Sequence, residues 1–412
     1  MTSVALLRQI TDYANRADPY PLYAELRKTP VVRDEEGPYL VSTYWEIRSL
    51  LHDPRLSSDP RNLSPDAFRT PATEEDPNLP LSFIRLDPPE HDRLRGLAMQ
   101  PFGPPHTPRR IHEMRGELGE IVSGLIDAFD GREQIDLVDD FSYPFPVTVI
   151  CRLLGVPRED ESRFHGWADT LAASIDPSLG SAEELEEQMR TVRQARTELA
   201  AYLAALIEER GRSPRDDMLS AMASGHGPDG RMTLAEMVTT SILLLIAGHE
   251  TTVNLITNGM LTLLRNPDAL QRLRDDPDLA VPMVEELLRF EPPVQLLPQK
   301  TTLADIDIAG TTIPKGVTLF LVLASGNRDP QRFTDPDRFI PDRPDNQHLG
   351  FSSGVHSCFG APLARLEAQI ALTELARRLD NPRLVEDPPP YRRNAVLRGP
   401  RHLGIAIDGL KR

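Results

Sequence analysis

The stretch Leu349-Gly-Phe-Ser-Ser-Gly-Val-His-Ser-Cys-Phe-Gly360 decides how the rest of the chain is read. It packs glycines, a phenylalanine, a histidine and a cysteine into a short loop. It then runs into Ala361-Pro362-Leu363-Ala364-Arg365-Leu366-Glu367, a helix start with proline in its first turn, where a missing N–H costs nothing. Cys358 falls where unpaired backbone N–H groups and the positive end of a helix dipole converge, and both favour a thiolate. Gly354 and Gly360 permit tight turns and a close approach to something flat. Taken alone, a cysteine near a helix start is most often a small buried apolar residue. In this loop the sharper reading is a thiolate held out of solvent as a metal ligand.

The same letters contain a rival. Gly350-Phe-Ser352-Ser-Gly354 matches the nucleophile elbow of serine hydrolases. An elbow needs an apolar strand before its serine, yet Asp342-Arg-Pro-Asp-Asn-Gln-His348 comes before this one. The triad also wants a later histidine, and only His402 follows His356.

Bulk properties narrow the classes. The 412 residues carry a formal net charge of −16, which argues against general nucleic-acid binding. Two cysteines, Cys151 and Cys358, make no disulfide framework and fit a reducing cytoplasm. Met1-Thr-Ser-Val-Ala-Leu-Leu-Arg8 lacks the apolar core of a signal peptide. No run reaches the roughly 18 apolar residues that span a bilayer. The expectation is a cytoplasmic protein with no membrane partner. No Gly/Ser linker divides the chain, so residues 1–412 read as one domain.

Thr233-Leu-Ala-Glu236 is a capping box that opens a helix to about Arg265, closed by Asn266-Pro267. Ser241-Ile-Leu-Leu-Leu-Ile-Ala247 is apolar on every face, the mark of a helix buried all round. Into it the chain inserts Gly248-His249-Glu250-Thr251-Thr252. A buried carboxylate beside two hydroxyls is costly unless it has work or partners. His249-Glu250 begins the His-Glu-x-x-His zinc pattern, but Val253 occupies the fifth position and the zinc site fails.

Other elements are plainer. Asp87-Pro-Pro-Glu-His91-Asp-Arg-Leu-Arg95 starts a helix with His91 and Arg95 on one face, by itself a solvated basic face. Glu286 and Arg289, three apart, read alone as a surface ion pair. Val31–Ser42 reads as a hairpin, and Asp59–Pro80 as an irregular, proline-rich lid. Helical periodicity covers residues 108–130, 140–155 and 182–210, with Cys151 as plain core. Phe164–Ile175 reads as a helix followed by a Pro/Ser/Gly loop. Two β-like runs follow, Asp305–Ile313 and Val317–Leu323, then a helix over Leu363–Leu379 and a C-terminal hairpin.

The cysteine loop resembles the heme-binding loop of the cytochrome P-450 monooxygenases, Phe-Gly-x-Gly-x-His-x-Cys-x-Gly. It matches at Phe351, Gly354, His356, Cys358 and Gly360, and departs at Ser352, where the family has glycine. The resemblance implies a mainly α (α+β) fold: a triangular helical domain, a smaller β region near the N-terminus, and a long buried central helix. It implies heme b as cofactor with Cys358 as iron ligand. His91, Arg95 and His356 are then propionate anchors, and Lys300 falls where the family has an arginine with that role. Phe351 and Ala247 would also border the heme. Glu250 and Thr251 match the acid–alcohol pair that delivers protons to bound dioxygen. Glu286 and Arg289 match a structural Glu-x-x-Arg element, with Arg338 as its third member.

Leu243, Ala247, Val294, Leu296 and Leu297 are expected to line an apolar cavity for a steroid, macrolide or other polyketide. The implied activity is hydroxylation of a C–H bond with O2. The protein would be a monomer of the soluble bacterial, actinobacterial-like type. No flavin or nicotinamide motif is present, so electrons would come from a ferredoxin and ferredoxin reductase, docking on a basic patch of Arg93, Arg109, Arg110 and Arg365. Two alternatives stand beside this reading: a heme-thiolate protein that binds a ligand without turnover, and a hydrolase using Ser352.

Overall fold

The computed structural model describes residues 6–34, 37–69, 79–102, 110–173, 182–227 and 230–411. Its axis is the predicted helix, Leu234–Arg265. The capping box forms: Thr233 Oγ1 accepts from the Glu236 backbone N–H at 3.2 Å, and the Glu236 carboxylate accepts from the Thr233 N–H at 2.7 Å. With 32 residues this helix runs about 48 Å, enough to cross the molecule. Nearly every side chain from Thr252 to Leu263 is buried, because other helices surround it. These are Pro144–Leu154, Glu161–Ala173, Ala182–Arg212, Ala280–Phe290 and Ala361–Arg378. Cys151 belongs to the core they share, fully buried.

The β region is built differently from the expectation. Val31–Arg33 and Tyr39–Val41 do pair as an antiparallel hairpin. They form only one edge of a five-stranded sheet, however. Its next two members come from much later in the chain, Thr318–Leu321, parallel to Tyr39–Val41, and then Leu297–Thr302, while Leu56–Ser57 from the N-terminal region closes the other edge. Ile306–Ile308 and Thr311–Ile313 make a separate hairpin. The C-terminal hairpin does not form as a local unit. Arg383–Leu384 and Gln134–Asp136 both pair with Gly404–Ala406, and Leu379–Asp380 pairs with Gly409–Leu410. Short strands carry little intrinsic preference, so distant partners decide where they pair.

Part of the expected lid (residues 70–78) and the loop at 174–181 lie outside the described residues. Among the described residues, no helix is long and apolar enough to cross a membrane.

Candidate active site

A cavity enclosing about 1300 Å³, mouth included, lies between the central helix and the Cys358 loop. The loop is folded as its glycines require in one place and against expectation in others. Gly354 has φ +70°, and a Cβ there would meet the Leu51 carbonyl oxygen at 2.1 Å. Gly360, by contrast, has φ −83° and caps the Ala361–Arg378 helix with ordinary backbone. The left-handed residue beside Gly354 is Ser352, at φ +57°. That explains why glycine is the family's residue there. The Ser352 hydroxyl is buried without a hydrogen-bond partner among the described residues. His402 instead bonds Asp136 at 2.6 Å, so the hydrolase dyad is not assembled.

Cys358 is in the cavity wall, its backbone N–H donating to the Phe351 carbonyl at 2.9 Å. Phe351 also lines the cavity, and the Arg365 guanidinium lies 4.6 Å from its ring centre. Burial pushes the Cys358 thiol up, and the backbone N–H groups of Gly360 and Ala361, with the charges of Arg95 and Arg365, only partly offset it. The helix-start N–H groups and the two arginines thus act in the direction that the helix dipole suggests, and burial acts against them. A metal cation bound to the sulfur would add a further opposite charge.

At one side of the loop, two ring nitrogens are buried near the charged side chains of Arg95 and Lys300. His91 is buried and its ring meets that of His356 edge-on at 4.4 Å. His91 Nε2 and His356 Nδ1 are both buried with no partner among the described residues. Burial, with Lys300, His91 and Arg95 nearby, drives His356 down to about 3. Arg95 donates to the Ser357 carbonyl at 2.8 Å. Lys300 is buried on the Leu297–Thr302 strand, brought down to about 8 by that burial against the pull of Asp87, and donates to Ser58 Oγ at 2.5 Å. The Asp87 carboxylate is already bonded by Ser57 and by the Ser58 N–H. Buried polar atoms without partners, beside two cationic side chains, call for a polar partner of negative charge. A cofactor presenting carboxylates here, and a metal to Cys358, fits the set.

On the other wall, Leu243, Ala247, Val294 and Leu297 line the cavity as expected. Leu296 does not: it is fully buried in a separate cluster with Tyr20 and Phe320. Leu296 and Leu297 are consecutive in extended chain and so project to opposite sides. Phe83, Phe102, Ile150 and Met218 also line it, and no local pattern could have gathered residues from such separate segments. Thr251 faces the cavity, its hydroxyl donating to the Ala247 carbonyl at 2.7 Å. Gly248 lines it too; a Cβ there would come within 3.3 Å of Ile150. Glu250 does not line the cavity. It is buried beside Arg392, whose Nε lies 3.2 Å from its carboxylate.

Glu286 and Arg289 are paired at 2.8 Å with both side chains fully buried, not at the surface. The third member is Arg343, whose Nε lies 3.0 Å from Glu286. Arg338 is exposed and pairs with Asp335; only its backbone carbonyl takes part, accepting from Arg289 and Arg343. The path of the loop past Glu286 makes the difference: it brings the Arg343 guanidinium to the carboxylate and leaves that of Arg338 in solvent. In the expected docking patch, Arg93, Arg110 and Arg365 are each paired with an acid (Glu236, Asp216 and Glu285), and Arg109 lies outside the described residues.

A helical fold around one buried helix, with a cysteine, unpartnered buried polar atoms and cationic side chains at an apolar cavity, fits the heme-thiolate class of proteins. The comparison with known sequences names it: the chain belongs to the cytochrome P450 family, whose model matches residues 64–406. Among its relatives is the cytochrome P450 monooxygenase PikC of Streptomyces venezuelae, 42% identical over 94% of this chain and 91% of PikC. The 6-deoxyerythronolide B hydroxylase of Saccharopolyspora erythraea is 36% identical, over 95% of this chain and 96% of its own. The ligand-free crystal structure of Mycobacterium smegmatis CYP164A2 superposes with a TM-score of 0.87 at 42% identity, covering 98% of this chain and 99% of that one. The protein is a cytochrome P450 monooxygenase, and heme b is its cofactor.

Proposed function

We propose that this monooxygenase hydroxylates a C–H bond of a sizeable hydrophobic molecule, a steroid, macrolide or other polyketide. The observation that carries this reading is the apolar wall formed by Leu243, Ala247, Val294 and Leu297 across from Cys358. A relative named for hydroxylating 6-deoxyerythronolide B supports a substrate of that kind.

Heme, when bound, supplies oxygen activation, and a cysteine ligand favours O–O cleavage by electron donation. Cys358 is the ligand in this reading. His91, Arg95, Lys300 and His356 hold the propionates, and Phe351 and Ala247 border the ring. The leucines and Val294 exclude water and orient substrate. Thr251 keeps its hydroxyl proton on Ala247, leaving its oxygen lone pairs free to accept a hydrogen bond in the cavity. Glu250 brings protons to that hydroxyl. Electrons come from a ferredoxin and its reductase, and the chain works as one monomeric unit.

A binding screen with testosterone, 6-deoxyerythronolide B and small polar alcohols tests the substrate class. The large hydrophobic compounds should shift the heme spectrum, and turnover under ¹⁸O2 with a plant-type ferredoxin and reductase should place one labelled oxygen in the product. Spectral shifts from the small polar compounds alone would contradict the reading.

A further inference from the structure

The cavity wall at Pro293 and Val294 is held from behind by the C-terminal segment. Neither Pro292 nor Pro293 has a backbone N–H to donate, so this stretch is fixed through its acceptors. The Pro293 carbonyl accepts from the Arg398 N–H at 2.8 Å. The Gln295 N–H donates to the Val396 carbonyl at 2.8 Å, which pairs Val294 with Leu397 as an isolated antiparallel bridge. The fully buried Gln295 side chain donates to the Pro292 carbonyl at 2.7 Å and accepts from the Tyr23 hydroxyl at 3.3 Å. Val294 lines the cavity and also packs against a core cluster that holds Leu296, Val396 and Leu397.

The residue that braces this wall by its backbone is tied into the core by its side chain. The Arg398 guanidinium is fully buried and donates through Nε to the Arg16 carbonyl and through Nη2 to the Ala17 carbonyl, both at 2.7 Å. Nη2 also reaches the Tyr391 hydroxyl at 3.3 Å, and Nη1 donates to Glu291, just past the Ala280–Phe290 helix. Glu291 is shared: Arg328 Nη2 lies 3.2 Å from its other oxygen, and the Tyr20 hydroxyl 3.1 Å from the one that Arg398 holds. Burial opposes the charge of Glu291, but Arg398 and Arg328 outweigh it and hold the carboxyl below its usual range.

We propose that Arg398 is a positioning residue for substrate recognition: by fastening the C-terminal segment to Arg16, Ala17 and Glu291, it sets how far Val294 reaches into the cavity. This rests on the reading of Val294 as a wall that orients substrate. A buried ion cluster gains little stability over apolar packing of the same volume. What it supplies is geometry, because a planar guanidinium fixes several bond directions at once. Lysine carries the charge without the fork, so it leaves the backbone brace free to shift.

The test titrates the heme-loaded enzyme, followed by its absorption spectrum, with imidazole and with 4-phenylimidazole. Imidazole needs only the iron, whereas the phenyl ring must also fit against the wall. Val294→Ala is the direct reference for that fit. Arg398→Lys and Val294→Ala should each weaken 4-phenylimidazole about fivefold, roughly the contact of one methylene, and leave imidazole within about twofold of the parent. If Arg398→Lys does not take up heme, Glu291→Gln decides, with the same change expected. Parental affinity for 4-phenylimidazole in the heme-loaded variant, with Val294→Ala weakened, overturns the proposal alone. An equal loss for both azoles, or failure of both Arg398→Lys and Glu291→Gln to take up heme, makes the cluster a folding element and also overturns it. Parental binding of 4-phenylimidazole in Val294→Ala overturns the reading of the wall beneath it.

Discussion

Arg343 reaches back to Glu286 and donates through Nε to both carboxylate oxygens, at 3.1 and 3.0 Å. Arg289 holds the same carboxylate from within the helix, through Nε and Nη2 at 2.8 Å each. Asn346 and the Ile340 N–H add two further bonds. One buried carboxylate thus ties the Ala280–Phe290 helix to the loop that leads into Cys358. Removing one charged partner of such a group costs about 3–5 kcal/mol. Arg343→Ala should lose that much and release heme readily, whereas Arg338→Ala should stay within about 0.5 kcal/mol. Thermal unfolding of both variants checks this, and equal losses would mean that Arg338 matters as its spacing first suggested.

Ser352 is the loop's strained position. A non-glycine residue at φ +57° is disfavoured by about 1–2 kcal/mol, and its buried hydroxyl gains no bond in return. Glycine would relieve the strain, less about 0.5–1 kcal/mol for its freer unfolded chain. Ser352→Gly should therefore raise stability by about 1 kcal/mol with the ligand set unchanged. A lower melting temperature for this variant would show that the serine side chain makes a favourable contact.

Thr251 turns its hydroxyl toward the cavity with its proton on Ala247. In Thr251→Ala, reductant consumption should continue while product per reductant falls to about a tenth and hydrogen peroxide is released. Quantifying NADPH, peroxide and product together checks it. A parental yield would remove Thr251 from proton delivery.

Glu285 joins the same loop through His348 at 3.1 Å and Arg365 at 2.7 Å. Burial works against its charge, but the hydrogen bonds from His348 and Arg365 outweigh that and hold the carboxyl down at about 2. The folded value lies below the unfolded one, about 4.3. Its stabilisation is therefore complete above that value and is lost as pH falls from about 4 toward 2. Melting temperature against pH should fall more steeply over this window in the parent than in Glu285→Gln. Parallel curves would mean that the three groups are not coupled in solution.

Features set by neighbours in the chain were legible before any coordinates. The Thr233–Glu236 capping box and the apolar run after it predict the central helix nearly to the residue. The spacing of Phe351, His356 and Cys358 likewise identifies the loop and its family. What depended on distant segments was not legible. Arg338 and Arg343 both follow an aspartate in a proline-rich loop, and only its path past Glu286 separates them. Leu296 lies in a separate core cluster and not in the cavity wall because strand alternation needs a register that sequence leaves open. The strand order needed residues near 40, 300 and 320 to meet. Glu250's partner, Arg392, lies too far along the chain for any motif to link them.

The central claim is that Cys358 thiolate holds heme in this cavity. Its most direct test is the absorption spectrum of the purified, heme-loaded protein, reduced with dithionite and exposed to carbon monoxide. A strongly red-shifted Soret band, lost in Cys358→His, is the result expected. A band at the ordinary heme position in the folded parent, or a red-shifted band that survives Cys358→His, would contradict it.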